Sequence, residues 1–417
     1  MQRTWISDAP RFARSWASDA LINRNYGLFL GGSFVSALGS WFQNVALGWL
    51  VLELDNSPFA LGLTNFALMV PLFLFGLIGG AIADRVDRRK LILLAGAGMT
   101  FFSGVLALLT LLGVVTIPII VGLALLMGFT NAFMWPAWAP FIKDLVGADK
   151  LRSAIAVNAA RFNLTRILGP AIAGWFLVIG GIAFCLMLST VFSLALLVTV
   201  FLIRVPTVPR PPSIPLLPAL KEGLVYSWRN PLSRRLLAAT AVLGFLAMPY
   251  VTFLPAFARN VFEAGPQGLG LLLAAGGAGA IVGAIASGLR SISARPGRAM
   301  ILFTICTSVG LAFFGLSSGL VTGLPALAIV GFGSIGFLST ANAGLQLTVP
   351  DNLVGRVMGL WVVMNAGTMP LGSLALGVVA DHFGVRTVVL IGSVGALAAA
   401  LILSGQRFQR SRKSDMV

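Results

Sequence analysis

The sequence predicts an all-α membrane protein with twelve transmembrane helices in two six-helix pseudo-repeats. Hydrophobic residues make up 58% of the 417-residue chain and charged residues only 10%, against roughly 25% charged in soluble domains. Mean hydropathy is +0.94. Near-continuous apolar runs of about 20 residues recur from end to end, each long enough to cross a hydrocarbon core of about 30 Å. They do not alternate in the segments of about 10 residues that mark a transmembrane barrel. Finally, an offset of 203 pairs Gly76 with Gly279, Gly80 with Gly283, Gly128 with Gly331, Gly169 with Gly372, Gly174 with Gly377 and Gly181 with Gly384. One gap-free offset across separate regions reads as a duplication.

Residues 1–26 carry Arg and Asp without an apolar core region, unlike a cleavable signal peptide. Asp8 as a cap before Pro10, with Phe12, Trp16 and Leu21 along one side, predicts a short helix on the inner membrane surface. The amino-terminal bundle, 27–204, contains spans at 27–53, 58–82, 91–113, 117–142, 153–180 and 182–204. In the linker, 205–233, the prolines from Pro206 to Pro218 cannot continue a helix. Leu217, Leu220, Leu224 and Trp228 then share one face, the pattern of an interfacial helix. The carboxy-terminal bundle, 234–404, contains spans at 234–257, 267–289, 299–317, 323–349, 357–381 and 385–404, and 405–417 is a basic tail.

The formal net charge is +16, but its placement argues against nucleic acid, which would require a basic face on a soluble domain. The basic residues occupy alternate loops, from Arg85 through Lys143, Lys221, Arg290 and Arg356 to the tail, while the opposite loops offer Arg259 and Arg386. The positive-inside rule therefore puts both termini in the cytoplasm. Cys185 and Cys306 fall in separate spans and read as buried free thiols, with no metal-ligand pattern. No nucleotide-binding loop and no nucleophile, base and orienting-group arrangement is visible. The reading is a non-enzyme without cofactor, a monomer whose partners are a small-molecule substrate, protons and the lipid bilayer.

Six charges crowd into Asp84–Lys90, directly after a long apolar run. The stretch Gly80-x-x-x-Asp84-Arg85-x-x-Arg88-Arg89-Lys90 resembles the signature loop of the major facilitator superfamily. Asp87 replaces the usual glycine, and DRVDRR is similar to the branch of the enterobactin exporter and the transmembrane secretion effectors. The first-span stretch ALGSWFQNVALGWL, the region FMWPAWAPFIKDLVGADK and the linker's EGLVYSWRNP carry the same likeness. The resemblance implies the major facilitator fold and a bacterial inner membrane location. It also implies a conformational switch at Gly80, Asp84, Arg85 and Arg88. Gly169-Pro170-x-x-x-Gly174 resembles the antiporter signature of the fifth helix, which implies export. Ser287 stands at the repeat mate of Asp84, so the latch is asymmetric, and Ala124 replaces the family's usual fourth-helix arginine.

Polar groups inside spans are functional candidates because lipid makes them costly. Asn158, Arg161 and Thr165 share one face of the fifth span, with Asn163 and Arg166 on another. No acid lies near mid-span, so a wet cavity attracting an anionic or acceptor-rich small molecule is set beside arginines tied to backbone carbonyls. Gln43, Asn44, Asn65, Asn131, Trp135, Tyr250, Asn342, Gln346 and Asn365 could line that space or join helices. Glu53, Asp84 and Asp381 are candidate proton carriers, and His382 reads as a surface residue. The expected function is secondary-active efflux of a small amphiphile, such as a siderophore-like metabolite or drug, by proton antiport. A lysophospholipid flippase of the same fold is the alternative.

Overall fold

The computed structural model describes residues 23–203, 216–289, 296–350 and 353–404. The expected amino-terminal surface helix, the proline run before residue 216 and the basic tail lie outside the described residues. Within them the elements are α1 (Arg24–Asp55), α2 (Pro58–Ala83), α3 (Arg88–Leu111), α4 (Ile117–Val146), α5 (Leu151–Leu202) and α6 (Leu216–Arg229). They continue with α7 (Pro231–Val261), α8 (Gly265–Ser287), α9 (Pro296–Leu316), α10 (Leu320–Thr348), α11 (Val354–Phe383) and α12 (Val385–Ser404). Eleven of these helices are long and apolar enough to cross a membrane. The chain is thus an all-helical multi-pass membrane protein, and helix ends fall within about a turn of the hydropathy boundaries.

At 1.5 Å per residue α5 would run about 78 Å if straight, more than twice the hydrocarbon core. It is not straight, because Gly181 breaks it with φ 75° and ψ −179°. The segments 151–180 and 182–202 correspond to two expected spans. Gly384, 203 residues later, makes the same kind of break between α11 and α12, with φ 81° and ψ 156°. Residues with a Cβ rarely adopt this conformation, so both sites require glycine.

Two compact units are present. The first lies within Met1–Ile214 and Thr252–Ala274, the second within Pro215–Val251 and Ala275–Val417. The division therefore passes through α7 and α8 as well as the linker. In the first unit, Tyr26, Phe29, Ile92, Phe141, Ala154 and Leu196 form a buried cluster that joins α1, α3, α4 and α5. Close helix approach rests on small residues, as expected where lipid supplies no hydrophobic drive between helices. A Cβ on Gly128 would overlap the Leu68 carbonyl, and one on Gly79 the Ala132 carbonyl.

The second unit uses the same device between α8 and α10. Cβ atoms on Gly279, Gly283 and Gly331 would overlap the carbonyls of Ala328, Phe332 and Gly276. Ser308 and Ser393 exchange hydroxyl-to-carbonyl hydrogen bonds of 2.8 and 2.9 Å between α9 and α12. Both α7 and α11 contain π-helical segments, at Leu243–Ala247 and Val363–Gly367. These meet through Gly244, whose added Cβ would overlap Thr368 Oγ1 and stand 3.2 Å from the Met364 carbonyl.

The amphipathic α6 is tied to the start of α11. Glu222 pairs with Arg356, and Gly223 is so close that a Cβ would meet the Arg356 backbone at 3.1 Å. Leu224, Val225 and Trp228 stay exposed, and the Arg234 guanidinium lies 5.9 Å from the Trp228 ring centroid. We expect Glu222→Arg and Arg356→Glu each to loosen α6, and the exchanged pair to restore it. A double-mutant cycle on hydrogen-exchange protection of 222–229 should give about 0.5 kcal/mol, the scale of a partly exposed pair.

Candidate functional site

The charged loop after α2 is built as a junction. Asp84 closes α2, its amide donating to the Gly80 carbonyl at 3.0 Å. Asp87 then starts α3, its carboxylate accepting from the amides of Arg89 at 2.9 Å and Lys90 at 3.5 Å. The residue that departs from the family's glycine is therefore a helix cap whose negative charge also suits a helix N-terminus.

Arg88 is the hub of this loop. Its Nη1 donates to both carboxylate oxygens of Asp144, on α4, at 3.0 Å each. Its Nε reaches the Ala83 carbonyl at 3.3 Å, and Nη2 reaches Asp84 at 3.5 Å. Side-chain exposure separates the acids: 17% for Asp144 and 57% for Asp84. The shorter contact is the one to Asp144, and Asp84 keeps more than half of its side chain exposed. Arg89 donates to the Val200 and Phe201 carbonyls at 3.0 and 2.6 Å, satisfying the end of α5. Together these contacts bind the α2–α3 loop, α4 and α5 at one end of the first unit.

On the first segment of α5, Arg161 is half-buried. Its Nη1 donates to the Ser33 carbonyl at 2.8 Å, and Nε donates to Asn158 Oδ1 at 3.2 Å. The guanidinium carbon is 5.9 Å from the centroid of Trp138. No acid forms an ion pair with Arg161 among the described residues. The side chain is thus tied to a backbone carbonyl, and among the described residues no ion pair neutralises it. Arg166 is partly buried elsewhere on α5.

The other candidates are scattered. Gln43 is buried among four helices, donating to Met127 Sδ at 2.8 Å and accepting from Ser103 at 3.2 Å and Ser189 at 3.4 Å. Its amide is committed to α3, α4 and α5. Asn44 is exposed and bonds its own helix at the Ser40 carbonyl, while Asn65 is partly buried. Asn131 touches Met99 Sδ at 4.0 Å, and Trp135 is 60% exposed. In the second unit Tyr250 is buried, Asn365 sits in the π segment of α11, and Gln346 donates to Asn342 at 2.6 Å.

Glu53 and Asp381 are exposed, as is His382, whose Nδ1 lies 2.9 Å from the Val378 carbonyl. The structure brings none of these three into a buried relay. Cys185 is buried and Cys306 intermediate, both as free thiols.

Gly169-Pro170-x-x-x-Gly174 forms a crossing inside the first unit. A Cβ on Gly174 would stand 2.6 Å from the Pro266 carbonyl, and one on Gly270 would stand 2.5 Å from the Pro170 carbonyl. Gly169 receives Trp41, while its offset mate Gly372 receives the Phe245 carbonyl. Asp144 and Trp361 were not singled out in the sequence. The Trp361 Nε1 is buried without an acceptor among the described residues, four positions before Asn365 on α11. Its indole could have been read as a polar tip inside a span.

With this geometry in place, comparison with known proteins identifies the frame. The sequence pattern of the transmembrane secretion effector family matches residues 21–417. The chain is 31% identical over 354 residues to the enterobactin exporter of Shigella flexneri, covering 82% of each protein. It is 30% identical over 355 residues to the enterobactin exporter of Escherichia coli, again with 82% of each covered. Among solved structures, the nucleoside transporter NupG superposes with a TM-score of 0.75 at 14% identity, covering 93% of this chain and all of that one. A bacterial homologue of the human lysosomal transporter Spinster gives 0.69 at 14% identity, over 93% and 96%. At such identities these structures establish the fold alone.

Proposed function

We propose that this chain, which belongs to the transmembrane secretion effector family of the major facilitator superfamily, exports a small anionic amphiphile by alternating access. The observation that carries the reading is the half-buried Arg161. Two of its nitrogens are positioned by Ser33 and Asn158, and no carboxylate neutralises it among the described residues. A charge held in a membrane-spanning helix is costly without a counterion, and an anionic solute supplies one. The cargo named for the curated relatives, enterobactin, supports a siderophore-like metabolite as its class. Twelve crossings in two six-helix repeats, an inner-membrane location, cytoplasmic termini, a monomer and proton antiport complete the proposal. The matched relatives are named exporters, which favours this reading over a lysophospholipid flippase.

Proteoliposomes with an imposed pH gradient test it. Naphthalene-2-sulfonate and its neutral sulfonamide share a ring system but differ in charge, and the gradient should drive movement of the sulfonate. Arg161→Gln should lower sulfonate transport about tenfold, the worth of a charge-assisted hydrogen bond, and leave the sulfonamide within about twofold. Equal losses for the two probes would remove the electrostatic basis. Gradient-independent scrambling of lysolipid would favour the flippase.

A further inference from the structure

At the opposite end of the first unit from the charged loop, the last turns of α1 and α7 carry an arrangement that the Arg161 site does not use. The Arg259 guanidinium lies over Trp49, its carbon 5.9 Å from the ring centroid. Its Nη1 is buried and has no hydrogen-bond partner among the described residues. Among the described residues no carboxylate is within ion-pair distance of it, although Glu53, shortly after Trp49, and Glu263, shortly after Arg259, are exposed. Arg259 belongs to the π-helical segment Phe257–Val261, a distortion that recurs at functional sites.

The backbone at this end is fixed in unusual states. Asn56 has φ 47° and Glu263 φ 49°, the two positive values outside glycine among the described residues. Asn260 Nδ2 donates to Asn56 Oδ1 at 3.1 Å, which joins the two segments. The guanidinium is thus held in place by Trp49 and by a pinned segment rather than by an acid.

A charged group with one buried nitrogen left without an acceptor is destabilised, and a ligand oxygen resolves the conflict. A planar oxyanion fits best, because guanidinium presents its N–H groups in one plane and pairs with carboxylate in a fork. Trp49 offers an apolar ring surface beside that fork for the body carrying the anion. From this we infer that Arg259 and Trp49 form a second binding position for the transported solute, selective for a carboxylate on an aromatic or apolar body. The assignment rests on the reading of the chain as an exporter of anionic solutes and adds a specificity residue to it.

Equilibrium dialysis of the full chain in lipid nanodiscs against 2-naphthoate and its neutral analogue 2-naphthamide tests the position. Arg259→Gln should weaken naphthoate about tenfold, the scale for loss of one charge-assisted hydrogen bond, while naphthamide changes less than about twofold. Trp49→Leu should weaken both by similar factors. If Arg259→Gln does not give monodisperse protein, Arg259→Lys decides, since it keeps the charge but loses the fork and should weaken naphthoate alone. An unchanged naphthoate-to-naphthamide ratio overturns the assignment, as does a wild-type protein that binds the two equally. So does a Glu53→Gln variant that reproduces the Arg259→Gln loss, because Arg259 would then serve an internal ion pair. Gradient-driven sulfonate export alongside an unchanged ratio sinks this position alone. A selective ratio without any gradient-driven movement sinks the exporter reading and leaves the position standing.

Discussion

Asp144→Ala is expected to lower stability by about 2 kcal/mol, whereas Asp84→Asn should leave stability within about 0.5 kcal/mol of wild type yet abolish most transport. The asymmetry follows from where the two acids meet Arg88. Asp144 takes the close paired contact, with both oxygens at 3.0 Å and both side chains mostly covered. Removing it leaves a mostly covered guanidinium with the Ala83 carbonyl and the long contact to Asp84, and breaking a fully buried pair costs roughly 3–5 kcal/mol. Partial exposure reduces that figure. Asp84 reaches Arg88 at 3.5 Å with more than half its side chain exposed, so the folded unit gains little from it.

A conformational switch needs such an acid: one that can bind a second arrangement without first breaking the first. Thermal unfolding in detergent and transport in proteoliposomes should therefore rank the two variants in opposite orders. Normal turnover in Asp84→Asn would remove the switch, and an unchanged unfolding temperature in Asp144→Ala would show that the pair bears no structural load.

The helices were legible in the sequence because lipid makes hydropathy and length nearly sufficient. Even the break at Gly181 was visible, as a glycine between two apolar runs sharing its offset with Gly384. The pairing of Arg88 with Asp144 was not, because the partners lie on different helices and nothing in either local pattern specifies the other. Gln43 illustrates the reverse difficulty. An amide inside a span reads equally well as a cavity group or as a helix connector, and only the positions of Met127, Ser103 and Ser189 assign its hydrogen bonds. Arg259 counted in the sequence as an outer-loop charge. Its buried nitrogen depends on the turn of a π segment, which hydropathy does not encode.

Gly279→Ala and Gly76→Ala substitute positions related by the same offset, yet they should differ by more than about 2 kcal/mol. On α8 the new methyl group would overlap the Ala328 carbonyl. A backbone oxygen cannot rotate away, so α8 and α10 would have to separate, loosening the neighbouring approaches at Gly283 and Gly331. On α2 the methyl group would meet only the Leu72 Cδ1 at 3.4 Å, the end of a flexible side chain. There alanine also removes the helix penalty of glycine, about 0.8–1.0 kcal/mol in an exposed helix, so Gly76→Ala should be neutral or stabilising. Denaturant unfolding of the two purified variants measures the contrast. If both lost stability equally, the α2–α4 crossing would have to be as tight at Gly76 as the α8–α10 crossing is at Gly279. The repeat would then extend to the contacts themselves, whereas the structure places the close approach in the first unit at Gly79 and Gly128 instead.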